Sequence, residues 1–131
     1  MRVLVTGGAG FIGSHTVDSL LAEGFDVVVL DSLRSGSLDN VRRHFGGAGF
    51  HFVKGDVRDA GLVQGLVGDV DFVVHLAALV SVPEFFKDPV LTFDINVNGT
   101  LNLLKACVDS GVKRFVYASS CAVYGNAEKL P

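Results

Sequence analysis

The stretch Thr6-Gly7-Gly8-Ala9-Gly10-Phe11-Ile12-Gly13 decides how this chain folds. It follows the apolar run Arg2-Val3-Leu4-Val5 and opens a segment with helical spacing, so it turns a strand into a helix. Its glycines fall as Gly7-x-x-Gly10-x-x-Gly13. A glycine at the strand end permits a tight turn, the middle one lets backbone N–H groups approach a ligand, and the last lets helix and strand pack closely. The helix that begins here carries unpaired N–H donors and a partial positive charge at its N-terminus, which suits a phosphate. A glycine triplet alone is a weak signal. The strand before it, the helix after it and an acid downstream make it a dinucleotide cradle.

That acid is Asp31, which closes the second apolar run, Val27-Val28-Val29-Leu30. It lies at roughly the 20-residue interval that separates such a turn from the acid that binds an adenosine ribose. A carboxylate there accepts from both ribose hydroxyls and repels a 2′-phosphate, so NAD is expected as cofactor rather than NADP. Arg34, just beyond it, works the other way, because an arginine accommodates that phosphate. A helix or turn cap is the weaker reading of Asp31. Gly7, Gly10, Phe11, Ile12, Gly13 and Asp31 are the first candidate cofactor-binding residues.

Short apolar runs and helical patterns alternate along the chain. Strands are expected at 3–5, 27–30, 50–53, 72–74 and 115–117, most of them continuous runs rich in Val and Phe, as strands buried on both faces of a parallel sheet are. Helices are expected at 12–23, more weakly at 38–45, at 59–67 behind an Asp59 N-cap, and at 88–110. In the last, Val97, Leu101, Leu104 and Val108 recur at helical spacing and Gly111 marks the end. Right-handed crossovers then give an α/β fold, a doubly wound Rossmann-type parallel sheet of five strands in the order 3-2-1-4-5. It forms one domain over 1–131, incomplete at its C-terminal side, with an exposed apolar face at the fifth strand.

The 131 residues are one domain's length, and 49% of them are apolar, enough for a buried core. A net charge of −3 and the lack of any Lys/Arg run argue against a nucleic-acid partner. The longest apolar stretch, 72–82, is interrupted by His75 and is too short to cross a bilayer, and the N-terminus has no leader layout. Cys107 and Cys121 lack CxxC spacing and fit a reducing cytoplasm. His15, His44, His51 and His75 show no ligand spacing, so no metal site is expected and each reads as structural or solvated.

Further motifs follow in order: Gly55-Asp56-Val57-Arg58, His75-Leu76-Ala77-Ala78, Asn96-Val97-Asn98-Gly99-Thr100 and Ser119-Ser120-Cys121-Ala122-Val123-Tyr124-Gly125. With the glycine turn and Asp31 they resemble, at matching intervals, the extended short-chain dehydrogenase/reductase family. Within it they resemble the nucleotide-sugar epimerases of the UDP-glucose 4-epimerase type. The resemblance implies that Asp56 with Val57 holds the adenine edge, that Leu76, Ala77 and Ala78 form a small-residue wall beside the cofactor, and that Asn96 lies near it. It makes Ser120 the catalytic hydroxyl, bonded to the reacting sugar oxygen, and Ser81 of Ser81-Val82-Pro83 a substrate contact. Each has a plainer reading: an N-cap for Asp56, sheet packing for the alanines, a solvated Asn96, a Ser120 tied to backbone.

The activity so implied is epimerisation of a nucleotide sugar, by transient oxidation at a sugar carbon by NAD and hydride return to the opposite face. Dehydratases of the family carry Asp-Glu after the serine or threonine, whereas Cys121-Ala122 stand here. The family's chemistry also needs Tyr-x-x-x-Lys, in which the lysine lowers the pKa of the tyrosine that moves the proton. Tyr117 is followed at that spacing by Cys121 and Tyr124 by Glu128, so neither fits. The chain is therefore expected to be the N-terminal part of such an enzyme, without its substrate lobe and inactive alone. The competing readings are a standalone NAD-binding or regulatory module and part of an NAD(P)-dependent dehydratase or reductase. By analogy with the family, a homodimer would form through helices, the 88–110 helix among them.

Overall fold

In a computed structural model that describes residues 1–126, Val3, Leu4 and Val5 are all buried, because β1 (Arg2–Thr6) has a strand on either edge and helices over both faces. It pairs in parallel with β2 (Asp26–Asp31) on one side and β4 (Phe72–His75) on the other. β3 (Phe50–Lys54) and β5 (Arg114–Tyr117) complete a five-stranded parallel sheet in the order β3-β2-β1-β4-β5, the order expected.

Alternate side chains leave each strand on opposite faces, and here both faces are apolar. Leu4, Val28, Leu30 and Val73 meet Val63 and Val67 of α2 (Ala60–Val67) and Leu103 and Ala106 of α5 (Gly99–Ser110). Val3, Val5, Val27 and Val29 meet Val17 of α1 (Phe11–Ala22) and Val41. This double burial is why the strands read as continuous apolar runs. β5 lies at the edge of the sheet, where Val116 and Tyr117 are exposed as expected.

The helix ends follow their capping residues. The Asp59 carboxylate accepts from the Leu62 N–H at 3.0 Å and starts α2, and Gly111 ends α5 in the left-handed conformation. Residues 38–45 form two short 3₁₀ turns, Leu38–Asn40 and Arg42–His44, instead of the expected helix. The Ser37 hydroxyl caps the first of them, and only Val41 gains full burial, too little apolar surface for a longer helix. A six-residue helix, α3 (Val82–Lys87), was not expected. The 88–110 helix is continuous but not uniform. It begins as α4 (Pro89–Phe93), loosens into a π turn at Asp94–Asn98 and continues as α5. Among the described residues no helix is long and apolar enough to cross a membrane.

Leu103 is fully buried where α5 meets the sheet. Leu103→Ala should cost about 3 kcal/mol by leaving a cavity in that layer, measured as a lower urea midpoint with an unchanged slope.

Candidate functional site

A cavity of about 480 Å³ opens at the carboxyl ends of β1, β2 and β4, the edge at which open α/β sheets bind ligands. Gly7, Gly10, Phe11, Ile12 and Gly13 line it from the glycine turn, Asp31 from the end of β2, Asp56 and Val57 from beyond β3, and Leu76, Ala77, Ala78 and Ser81 from beyond β4. Asn96 and Ser120 are absent from its lining.

The glycine turn is built from bare backbone. A Cβ on Gly13 would lie 2.1 Å from the Gly7 carbonyl oxygen and 2.7 Å from the Gly8 Cα. Gly7, at φ +71°, would place a Cβ 2.8 Å from the Ala77 nitrogen. The start of α1 thus sits directly on the turn, and the turn directly on the chain leaving β4. Gly10 is the N-cap of α1 and supplies no side chain to it. The first N–H groups of α1 therefore remain free for a ligand.

Asp31 is buried and does two things. Its Oδ2 accepts from the Ala9 N–H at 2.9 Å and its Oδ1 from the Leu33 N–H at 2.8 Å. It thus ties the glycine turn to the end of β2 while lining the cavity. The capping role set aside at the sequence level is real, and it coexists with a ligand-facing position. Asp56 is oriented by Arg58, whose Nε and Nη2 donate to its two carboxylate oxygens at 3.0 and 2.8 Å. Those bonds hold the Asp56 carboxyl below the usual carboxylate range. Its rival role as a helix cap belongs to Asp59.

Behind the wall of small residues runs a buried hydrogen-bonded chain. The Ala77 N–H donates to Thr6 Oγ1 at 3.2 Å, and Thr6 Oγ1 and His75 Nδ1 are 2.6 Å apart. His75 Nε2 and Thr100 Oγ1 are 2.9 Å apart, and Thr100 donates to the Asn96 carbonyl at 2.6 Å. The Thr100 proton is committed to Asn96, so His75 Nε2 donates to Thr100 and Nδ1 accepts from Thr6. This assigns the neutral Nε2–H tautomer. Burial lowers the His75 pKa to about 4.

Asn96 has a partner, but a backbone one. Its amide accepts from the Leu79 N–H at 2.8 Å and donates to the Leu79 carbonyl at 2.9 Å. It holds the loop that lines the cavity from one layer behind. Neighbouring motif residues act in the same way. A Cβ on Gly99 would strike Val57 Cγ2 at 2.5 Å, and Asn102 donates to the Val57 and Arg58 carbonyls, each at 3.1 Å.

Ser120 Oγ accepts from the Ala122 N–H at 3.2 Å and caps a 3₁₀ turn, Cys121–Tyr124. Its neighbours Ala118 and Ser119 line the cavity instead. Ser81 caps α3 and also lines the cavity. Among the lining residues that sequence reasoning missed are Gly36, Ser119 and Glu84. Only Glu84 had a local signal, because Ser81-Val82-Pro83-Glu84 has capping-box spacing.

A glycine turn at a helix N-terminus, an acid at the end of the neighbouring strand and a cavity joining them define a dinucleotide-binding α/β domain. Residues 3–131 match the NAD dependent epimerase/dehydratase family, and the chain belongs to that family. The cofactor in the family's name is the one Asp31 predicts. UDP-glucose 4-epimerase of Lactobacillus helveticus is 45% identical over 133 residues, covering 100% of this chain and 39% of the relative. A UDP-glucose-4-epimerase structure from Stenotrophomonas maltophila, with bound NAD and formylated UDP-arabinopyranose, is 43% identical with a TM-score of 0.88, over 100% of this chain and 40% of that one. The dTDP-glucose 4,6-dehydratase DesIV of Streptomyces venezuelae, with NAD and TYD bound, is 42% identical with a TM-score of 0.90, over 99% of this chain and 42% of that one. The chain thus spans about 40% of the length of each of these proteins.

Gly13→Ala should abolish dinucleotide binding in calorimetric titration and lower the melting temperature, because the methyl meets backbone that cannot move aside. His75 gives a pH signature. Its folded pKa of about 4 lies below the unfolded value of 6.5, so the unfolded state takes up the proton first. Its contribution to stability is complete above about pH 6.5 and is lost as pH falls toward 4, by about 3 kcal/mol in all. Urea titrations across that range should show the loss in the wild type and a flatter profile in His75→Gln.

Proposed function

We propose that the cavity holds NAD, with the diphosphate on the N-terminus of α1, the adenosine ribose at Asp31 and the adenine edge at Asp56 and Val57. The observation that carries this is the joining of the glycine turn to Asp31 through the Ala9 N–H, which puts phosphate donors and ribose acceptor in one cavity. Both Asp31 oxygens keep an unused lone pair after their backbone bonds, since a carboxylate has about four acceptor positions. The Gly7–Gly13 contact leaves room for a ligand where side chains would stand.

The parent activity we propose is nucleotide-sugar epimerisation, supported by the epimerase relatives and by Cys121-Ala122 where dehydratases of the family carry Asp-Glu. When bound, NAD supplies hydride transfer to and from a sugar carbon. The part played by this chain is to hold and orient it. Small residues Ala77 and Ala78 admit the cofactor against the wall, and Asn96, Thr100 and His75 fix that wall from behind. Ser81 is proposed as a substrate contact. Ser120 is proposed as the catalytic hydroxyl, since its O–H is left free to donate to a sugar oxygen while its Oγ accepts from the Ala122 N–H. The two free cysteines suit a reducing cytoplasm. Phe93, Val97, Leu101, Leu104 and Val108 are exposed along α4, the π turn and α5, which supports a homodimer through this segment.

Titration calorimetry of the 131-residue chain should show NAD binding at least about tenfold tighter than NADP; tighter NADP binding would overturn the reading. The same chain mixed with NAD and UDP-galactose should yield no UDP-glucose, because it carries no Tyr-x-x-x-Lys. Turnover would show that the catalytic pair is dispensable here.

A further inference from the structure

Arg34 and Glu84 both line the cavity, and they meet across it. Arg34 Nη2 donates to Glu84 Oε1 at 3.3 Å, from the loop after β2 to the first turn of α3. Arg34 is the only cationic side chain among the described lining residues. It is also delivered on purpose by its loop. Leu33, beside it, adopts φ +60°, a left-handed conformation that a leucine rarely takes. The bond from the Leu33 N–H to Asp31 Oδ1 sustains that bend, and Leu33 packs against the buried layer below. The loop therefore swings Arg34 back over the end of the cavity that Asp31 marks.

Glu84 is diverted to meet it. In Ser81-Val82-Pro83-Glu84, Ser81 caps α3 by accepting from the Glu84 N–H at 3.4 Å. In a complete capping box the glutamate side chain would fold back on the Ser81 N–H; here its oxygen is on Arg34. Arg34 pairs with Glu84, whereas the ion pair of Asp56 is with Arg58.

Resting on the NAD reading above, we propose that Glu84 is a specificity-determining residue: it holds Arg34 across the cavity and so withholds from the adenosine ribose the one guanidinium placed to take a 2′-phosphate. Asp31 repels that phosphate, and Glu84 removes the group that would attract it. The two acids act on the same discrimination from different elements, Asp31 at the end of β2 and Glu84 in the first turn of α3.

The test is a double-mutant cycle by titration calorimetry with NAD and NADP on wild type, Glu84→Gln, Arg34→Ala and the double variant. Glu84 is half exposed and its amide variant keeps the same shape, so folding is preserved. Glu84→Gln should shift the NADP-to-NAD affinity ratio about fivefold toward NADP, the upper range for releasing an exposed ion pair. Arg34→Ala alone should move it less than about twofold, because the guanidinium is already engaged, and in the double variant the gain should vanish. A gain that persists without Arg34 shows that the Glu84 charge acts directly on the phosphate and overturns the proposal, as does an unchanged ratio in Glu84→Gln. The NAD reading is judged separately, from the wild-type titration alone.

Discussion

Bare backbone contact at the glycine turn is the constraint on which the site depends. The Gly7 carbonyl lies against Gly13, and Gly7 lies against the peptide joining Leu76 to Ala77, with no side chain between them. The end of β1, the start of α1 and the exit from β4 therefore converge as peptide groups alone. A cavity floor made of peptide groups offers N–H donors in fixed directions, which side chains on flexible stems do not. The rest of the turn is tied down from outside. Ala9 gives its N–H to Asp31, and its carbonyl accepts from Asn40 Nδ2 at 2.8 Å and from the Ser37 N–H at 3.0 Å. The first 3₁₀ turn, 38–40, braces the glycine turn through Asn40 and its cap Ser37, while the second, 42–44, is tied to Asp18 of α1 by Arg43 and His44.

On the opposite side, one helical face performs the same service for the other walls. Asn96, Gly99, Thr100 and Asn102 respectively hold Leu79, admit Val57, bond His75 and hold the Val57 and Arg58 carbonyls. The π turn at Asp94–Asn98 lies within this segment, and such widened turns recur where a helix serves a site. His75 is the hub. A neutral imidazole that accepts on one side and donates on the other can link Thr6 of the glycine turn to Thr100 of the helix, and no purely donating or purely accepting side chain could do both. A charged imidazole would break that polarity, so burial that keeps His75 neutral also keeps the chain intact.

The sheet was legible because burial on both faces writes itself into sequence as continuous apolar runs, and the glycine turn because only glycine permits its contacts. Helix α3 was not, since its six residues carry too few apolar positions to show a period and its signal was a cap rather than a stripe. The site residues divide on a different line. The positions of Gly7, Gly13, Asp31 and Ala77 at the cavity were legible because residue type at a strand end says which groups can meet there. The backbone bonds of Asn96 and Ser120 were not legible from type, because an amide or a hydroxyl serves a neighbouring backbone as readily as a ligand. His75, read as merely structural or solvated, is structural in a way that reaches the cavity wall.

Asp31 shows why a cap and a ligand contact are not exclusive readings. A carboxylate has room for about four hydrogen bonds, and two backbone N–H groups use half of them. The same two bonds fix its orientation, so the acceptor positions left over are presented to the cavity without further cost in side-chain entropy. One of them also stabilises the left-handed Leu33 and thereby aims Arg34 at the same end of the cavity. The acid that lines the cavity thus also shapes the loop that carries a cation to it. Residues 31–34 thus bring an acid and a guanidinium to one end of the cavity, and the partner the guanidinium finds there is Glu84, from beyond β4.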